Sequence, residues 1–382
     1  AAARLGVELS VASEERLPLL PPDRQVTIDC GDPEISAERV ADLAASTPVD
    51  AIIAADDTGV EIAARASSLL GLPSSPVAAA RATLDKARMR RLLHSAEVPQ
   101  PRFEVVASWD EAQGAAGRLG FPVVTKPRTR SASVGVVRSD TPGDLRAALG
   151  IAQGHQRASD GSSDILIESF VAGREISVEG LLWDGELEIL AIFDKPDQPD
   201  GPTFAETIFV TPTELDDPTT AEVERVVSEA IAGIGLTEGP IHAELRVDSG
   251  RPMVIEVAGR TIGGICGRSL SFGLMGDTLE SLVIRQALGI RKRGFRRVAG
   301  ATGVMMIPIP ERGVLERIDG LEDSRSVPGV TEIEITIPLG SEIVPVPDGD
   351  RYLGFIFARA DTREAVIDAL HTAHDHLTLV IT

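Results

Sequence analysis

Ile241-His-Ala-Glu-Leu-Arg-Val-Asp-Ser-Gly-Arg-Pro-Met-Val-Ile-Glu-Val-Ala-Gly-Arg260 is the stretch on which the reading of this chain turns. Ile241 to Val247 and Met253 to Val257 have the composition of strands, and Asp248-Ser-Gly250 between them is a turn signal. A hairpin folded near Gly250 sets Glu244 and Glu256 opposite each other on one face. Side chains paired in that way sit about 5 Å apart, and two like charges there repel. A divalent cation between them reverses the repulsion, because Mg²⁺ takes one or two carboxylates and leaves positions for phosphate oxygens. Taken alone, the hairpin is equally well read as a solvated turn with two surface acids.

Upstream, strand-like and helical runs alternate. Val7 to Val11, Gln25 to Asp29 and Asp50 to Ala54 read as strands, and Glu38 to Ser46 and Gly59 to Leu70 as helices. Such alternation implies a parallel sheet covered by helices. Ala54-Ala-Asp-Asp-Thr-Gly59 lies at a strand end, where these sheets place ligands, but reads better as a helix cap. Ala1 to Gly6 reads as the end of a helix, so a strand is expected ahead of it. Thr83 to Ser95 reads as a helix, broken by Val98-Pro-Gln-Pro101.

A second α+β unit spans Phe121 to about Val171. Its strands are Phe121 to Lys126, Val134 to Val137 and Ile165 to Glu168, its helix lies around Pro142 to Gly150, and Gln153 to Ser163 is expected to be polar and mobile. Glu175 to Leu182 and Glu188 to Phe193 follow as paired strands, then a loop at 197–202 and a helix from Thr219 to Gly233. Beyond Gly300, strands dominate up to a last helix from Thr362 to His376. The fold class is α/β and α+β.

With 382 residues the chain exceeds one ordinary core, so two to four units are expected. A hydrophobic content of 43% with 25% charged residues is that of a globular protein. Aromatics at 3% argue against a stacking surface for single-stranded nucleic acid, and a net charge of −21 against any phosphate-backbone partner. Cys30 and Cys266 are too few for a disulfide framework, which favours a reducing cytoplasm. No apolar run approaches the roughly 20 residues of a membrane span, and no signal peptide is evident.

Two lysines stand where phosphate ligands would. Lys86 opens a helix after Leu84-Asp85, and Lys126 closes an apolar strand in Val-Val-Thr-Lys-Pro-Arg128. A lysine ending a buried strand needs an anion or a path to solvent. The small residues of Arg128-Thr-Arg-Ser-Ala-Ser-Val-Gly135 let backbone N–H groups approach phosphate oxygens, although no Walker A pattern occurs. In Ile165-Leu-Ile-Glu168-Ser-Phe-Val171-Ala-Gly-Arg-Glu175 a strand stops at an acid, then offers backbone groups to an adenine edge and a second acid to a ribose. Each of these signals is weak by itself; their order is specific.

In that order the chain resembles the ATP-grasp superfamily, in its carboxylate–amine ligase branch, with motifs from about Thr83 to Arg268. The resemblance implies an ATP-grasp fold: an N-terminal parallel-sheet α/β domain at 1–82 and an ATP-grasp domain at 83–308. Within the latter it implies a lid subdomain at about 121–171, and beyond it a β-rich C-terminal lobe at 309–382. It implies ATP and Mg²⁺ as cofactors, with Mn²⁺ as an alternative. Lys86 and Lys126 would hold phosphates beneath the loop that carries Ser131 and Ser133. Glu168, Phe170 and Val171 would meet adenine, and Glu175 the ribose. Glu244 and Glu256 would ligate metal, Arg260, with Lys126, would face the transferred phosphate, and Arg260 would also face the acyl group of the substrate.

Glu206, Gly263, Gly264 and Arg268 would shape the site of the small-molecule carboxylate and amine substrates. Ala258 departs from the pattern, since many relatives carry Asn there. Glu97 replaces the usual Gly of a turn, a structural difference. Cys266 is not expected to be a nucleophile, and His242 either lines the site or is a satisfied strand histidine. Homodimers are common in the superfamily, and no stretch here identifies an interface. The implied activity is ATP-dependent amide-bond formation through an acylphosphate, on amino acids or related metabolites. The alternatives are a biotin-carboxylase-like enzyme using bicarbonate and an inactive nucleotide-binding module.

Overall fold

The computed structural model describes residues 1–198, 200–273, 276–291 and 297–382. Pro199 of the expected 197–202 loop lies outside the described residues.

The first unit holds helix α1 (Ala2–Leu5), strands β1 (Val11–Ser13) and β2 (Gln25–Thr27), and helices α2 (Pro33–Ser46) and α3 (Asp57–Leu70). β1 and β2 pair in parallel, so the expected parallel sheet is present as two strands. β1 starts at Val11 because its ladder to β2 begins there, which moves the strand expected at Val7 to Val11 downstream. Asp50 to Ala54 joins no ladder among the described residues, so that expected strand is only an extended approach to α3. Asp56 caps α3 by accepting from the Gly59 N–H, as the cap reading required.

Helices α4 (Val77–Leu84) and α5 (Lys86–Ser95) replace the single helix expected over Thr83 to Ser95. The break has a local cause: Asp85 has extended backbone, and its carboxylate accepts from the N–H groups of Ala87 and Arg88. Glu97 takes a positive φ of 58° in the turn that follows, where Gly would be less strained.

A four-stranded antiparallel sheet comes next. It comprises β3 (Phe103–Val106), β4 (Val123–Pro127), β5 (Val137–Ser139) and β6 (Ile165–Ser169), in the order β3-β6-β4-β5, with helices α6 (Trp109–Leu119) and α7 (Pro142–Asp160). β3 and α6 lie upstream of the expected start at Phe121. Ala132, Ser133 and Gly135 all have positive φ, so the chain turns through the stretch expected to begin a strand at Val134. α7 continues to Asp160, correcting the mobile segment expected from Gln153. Its face of Leu145, Ala148, Leu149 and Ala152 is buried, and Gln156 is inaccessible behind them.

The central eight-stranded antiparallel sheet has the order β11-β10-β7-β8-β9-β12-β16-β14. Its members, in chain order, are β7 (Arg174–Trp183), β8 (Glu186–Asp194), β9 (Ile208–Thr211), β10 (Gly239–Asp248), β11 (Arg251–Ala258), β12 (Ala301–Ile307), β14 (Val330–Ile335) and β16 (Gly354–Ala360). Helices α8 (Asp217–Ile234), α9 (Leu279–Ala287), α10 (Leu321–Arg325) and α11 (Arg363–Asp375) accompany it, and β13 (Gly313–Asp319), β15 (Glu342–Ile343) and β17 (Thr378–Ile381) form a smaller sheet. No described helix is long and apolar enough to cross a membrane.

The period of two divides the central sheet into faces. Ile241, Ala243, Leu245 and Val247 of β10 join Ile176 and Val178 of β7 in a core against Val223, Val226, Val227 and Ala230 of α8. The other face carries His242, Glu244 and Arg246 opposite Glu179, Ser177 and Glu175 of β7. On its other flank β10 sets Glu244 opposite Glu256 and His242 opposite Ala258. A sheet face this polar has to be satisfied by charge partners or by a ligand.

Candidate active site

Over that polar face lies a cavity of about 670 Å³, walled by the four-stranded unit, the N-terminal unit and the C-terminal strands. Every residue assigned to the site from sequence lines it except Arg268. Arg268 is half-exposed and pairs with Glu332 at 3.4 Å and with Glu334, both on β14. The substrate contact expected of Arg268 is therefore corrected: its guanidinium is engaged away from the cavity.

At one end, Lys86 Nζ donates to Glu256 Oε1 at 2.8 Å and to the Arg130 carbonyl at 2.8 Å. Its place follows from the Asp85 cap, which starts α5 beside the small-residue loop. Lys126 is buried at the end of β4 and does not snorkel; its ammonium meets Glu168 at 2.7 Å. Arg90, one turn beyond Lys86, meets the other oxygen of Glu168 at 2.5 Å. Burial would raise the Glu168 pKa, but these two cations outweigh it and hold the carboxyl at about 2.

Phe170 and Val171 border the same end. The Phe170 N–H donates to the Pro122 carbonyl at 3.0 Å, and the Val171 carbonyl accepts from Arg246 at 3.1 Å. Guanidinium groups of Arg138 and Arg246 lie 4.2 Å and 5.1 Å from the Phe170 ring centroid.

Behind the acids of the floor stands a residue the sequence reading did not single out. Lys195, only 2% exposed, donates to Glu175 at 2.8 Å, to Glu244 at 3.0 Å and to Glu206. Burial alone would strip its proton, yet the three carboxylates hold the ammonium charged well above its ordinary range. The same cluster pulls its acids apart. Burial and the Glu244 charge push Glu206 up to about 7 despite Lys195, whereas Lys195 and His242 hold Glu244 well below the usual carboxylate range against its burial.

Glu175 also accepts from Arg246 Nε at 2.9 Å, so the acid expected to meet a ribose is engaged on two sides. Oxygens of Glu175, Glu206 and Glu244 lie within 4.8 Å of one another, and the Lys195 ammonium is the cation they hold in common. Glu256 is outside that group and meets Lys86 instead, although its backbone is paired with Glu244.

Arg260 leaves β11 and forms a two-pronged pair with Asp57, at 2.7 Å and 2.8 Å. The pair ties the hairpin to the N-terminal unit, and it holds the Asp57 carboxyl below its usual range against burial. His242 is buried, bonded through Nδ1 to the inaccessible Glu179, with Nε2 3.5 Å from Glu244. It is thus both a satisfied strand histidine and a lining residue. Burial would lower its pKa, but Glu179 and Glu244 lift it to about 9. The second oxygen of Glu179 accepts the Ile262 N–H at 3.0 Å and so fixes the start of the glycine turn. In that turn Gly264 has φ +59°, and a Cβ there would meet Phe355 Cζ at 2.8 Å.

The missed residues had signals. Phe-Asp-Lys195-Pro repeats the strand-end pattern of Val-Thr-Lys126-Pro, and Arg246 shares the alternation of His242 and Glu244. Arg90 lies one helical turn from Lys86. Asp57 adjoins the capping Asp56.

Comparison with known proteins places this geometry. Residues 119–269 match the ATP-grasp domain, residues 305–382 the L-amino acid ligase C-terminal domain 2, and residues 1–74 the ATP-grasp N-terminal domain. The crystal structure of an L-amino acid ligase from Bacillus licheniformis superposes with a TM-score of 0.81 at 26% identity, over 99% of this chain and 94% of that one. A D-alanine–D-alanine ligase from Gloeobacter violaceus is 32% identical over 53% of this chain and 67% of its own. The alanine–anticapsin ligase of Bacillus subtilis is 27% identical over 59% of this chain and 51% of its own. The chain spans 50% to 58% of the length of the first curated relatives it matches. With its sheet order, its cavity and these matches in agreement, the chain belongs to the ATP-grasp superfamily.

Proposed function

We propose that the chain is an ATP-dependent carboxylate–amine ligase that joins amino acids through an acylphosphate. One observation carries the reading: a single cavity is lined by the opposed acids Glu244 and Glu256, the lysines Lys86 and Lys126, and Arg260, with Glu206 across the floor. Attack of a carboxylate on the γ-phosphate brings two anions together, so fixed positive charge is the central requirement. Lys86, Lys126 and Arg260 supply it without reorganisation, being already oriented by their acid partners. Similarity to the alanine–anticapsin and D-alanine–D-alanine ligases supports amino acids as the class joined.

The residues fit a divalent metal. Glu244 and Glu256, with hard oxygen donors on one face of the hairpin, would hold Mg²⁺ or Mn²⁺, and Ala258 adds no ligand. When bound, the metal neutralises charge on the phosphates. Glu168 and the 170–171 backbone border the adenine end, and the four-stranded unit serves as the lid, its loop closing through the Gly135 N–H on the Pro347 carbonyl at 2.9 Å. Lys195 orders Glu206, which accepts the substrate ammonium. Water is kept from the acylphosphate while the amine nitrogen attacks its carbonyl carbon, the phosphate oxygen leaving with the electron pair.

The domain division that goes with this reading is 1–82, 83–308 and 309–382. The test is ADP release by the purified chain with ATP, Mg²⁺ and amino acids, singly and in pairs, with the product weighed by mass spectrometry. Turnover that needs amino acids and yields a dipeptide supports ligation. Turnover that needs bicarbonate alone, or nucleotide binding with no turnover under any mixture, overturns it.

A further inference from the structure

The sequence holds ten Phe, two Trp and one Tyr, and five of these line this one cavity: Phe170, Phe204, Phe209, Tyr352 and Phe355. Phe170 is covered by guanidinium groups. Phe209 and Phe355 belong instead to one apolar cluster with Met306 and Ile262, against which Tyr352 packs. Met306 is the strand partner of Phe355, and its N–H donates to the Thr207 carbonyl beside Glu206. The Tyr352 hydroxyl accepts the Glu206 N–H at 3.1 Å. The carboxylate facing the cavity and the apolar wall are therefore parts of one construction. An apolar wall with a few convergent polar groups is the usual make-up of a small-molecule site.

Resting on the ligase reading, we propose that the amino acid whose ammonium meets Glu206 carries a bulky apolar side chain, seated against Met306, Phe209 and Phe355. A charged side chain seated against these apolar residues would lose its hydration without compensation. A small side chain would leave apolar surface uncovered. Each methylene missing from the substrate in such a pocket lowers kcat/KM by about 10-fold or more.

The experiment is a kcat/KM panel on the wild-type chain with ATP and Mg²⁺, comparing leucine, methionine and phenylalanine with alanine, serine, aspartate and lysine. The same panel is repeated on Met306→Ala and Met306→Leu. The expected result is at least a tenfold preference for the apolar group, with Met306→Ala moving the optimum toward larger side chains. Preferred turnover of alanine, serine or a charged amino acid overturns the proposal while leaving ligation intact. An unchanged profile in a folded Met306→Ala also overturns it. No ADP release with any amino acid defeats the ligase reading itself, and the proposal with it. Should Met306→Ala not fold, the wild-type panel and Met306→Leu decide.

Discussion

Replacing Lys195 with Met keeps the volume of the side chain and removes its ammonium from among Glu175, Glu206 and Glu244. Lys195 is 2% exposed, so water does not reach the position to take over its role. Two of the three acids keep another cation: Glu175 has Arg246 at 2.9 Å, and Glu244 has His242 at 3.5 Å. Glu206 has none among its described ion pairs. Removing one partner of a buried ion pair costs about 3–5 kcal/mol, because the other is left desolvated and unpaired. We expect about 3 kcal/mol here, since the orphaned charge is confined to Glu206, which sheds it by taking a proton.

The assay is urea unfolding at pH 7.5 of wild type, Lys195→Met, Glu206→Gln and the double variant. The double variant should be more stable than Lys195→Met alone, a coupling of at least about 1 kcal/mol in the cycle. A single variant within 0.5 kcal/mol of wild type, on the order of an ordinary surface substitution, or a cycle that closes additively, would refute the view that Lys195 holds the acid cluster together.

Other outcomes follow from the same geometry. The folded Glu168 carboxyl titrates at about 2 against 4.5 as its reference, so its contribution is complete above pH 4.5 and is lost as pH falls through 2. A shift of this size corresponds to about 3 kcal/mol, and Glu168→Gln should flatten the acid limb of stability against pH; an unchanged limb contradicts the Arg90–Glu168–Lys126 assignment. Glu256→Gln should abolish Mg²⁺-dependent ATP turnover with the circular dichroism spectrum unaltered, and preserved activity defeats the metal assignment. Arg260→Ala should lower kcat by about 100-fold or more, the usual loss for one electrostatic donor to a transition state; a fall of less than fivefold would remove Arg260 from the chemistry.

The hairpin was legible because strand alternation and the turn signal at Asp248 to Gly250 placed two acidic strands side by side. The pairing of Glu244 with Glu256 itself depends on a bulge at Ile255, since the turn register alone sets Leu245 opposite Val254. Lys86, Lys126 and Glu168 were legible as a series in order, but not as partners. That Lys126 is locked to Glu168, and Glu168 to Arg90, depends on a helix packing over a strand nearly eighty residues away in sequence. Lys195 was missed for the related reason that its three acids come from three separate strands or loops. Arg268 was misplaced because a glycine turn gives no direction to the side chain after it. The short strand errors at Val7, Asp50 and Val134 share one cause: local composition gives extended backbone, while a ladder needs a neighbour that only the topology provides.

The account stands on the carboxylate attacking phosphorus, and one isotope experiment reads that bond directly. An amino-acid substrate labelled with ¹⁸O in its carboxylate is turned over with ATP and Mg²⁺, and the inorganic phosphate released is analysed by mass. Passage through an acylphosphate predicts one ¹⁸O per phosphate formed, with unlabelled ADP as the other product. Label appearing in AMP, with pyrophosphate released, or phosphate free of ¹⁸O during amide formation, would contradict it.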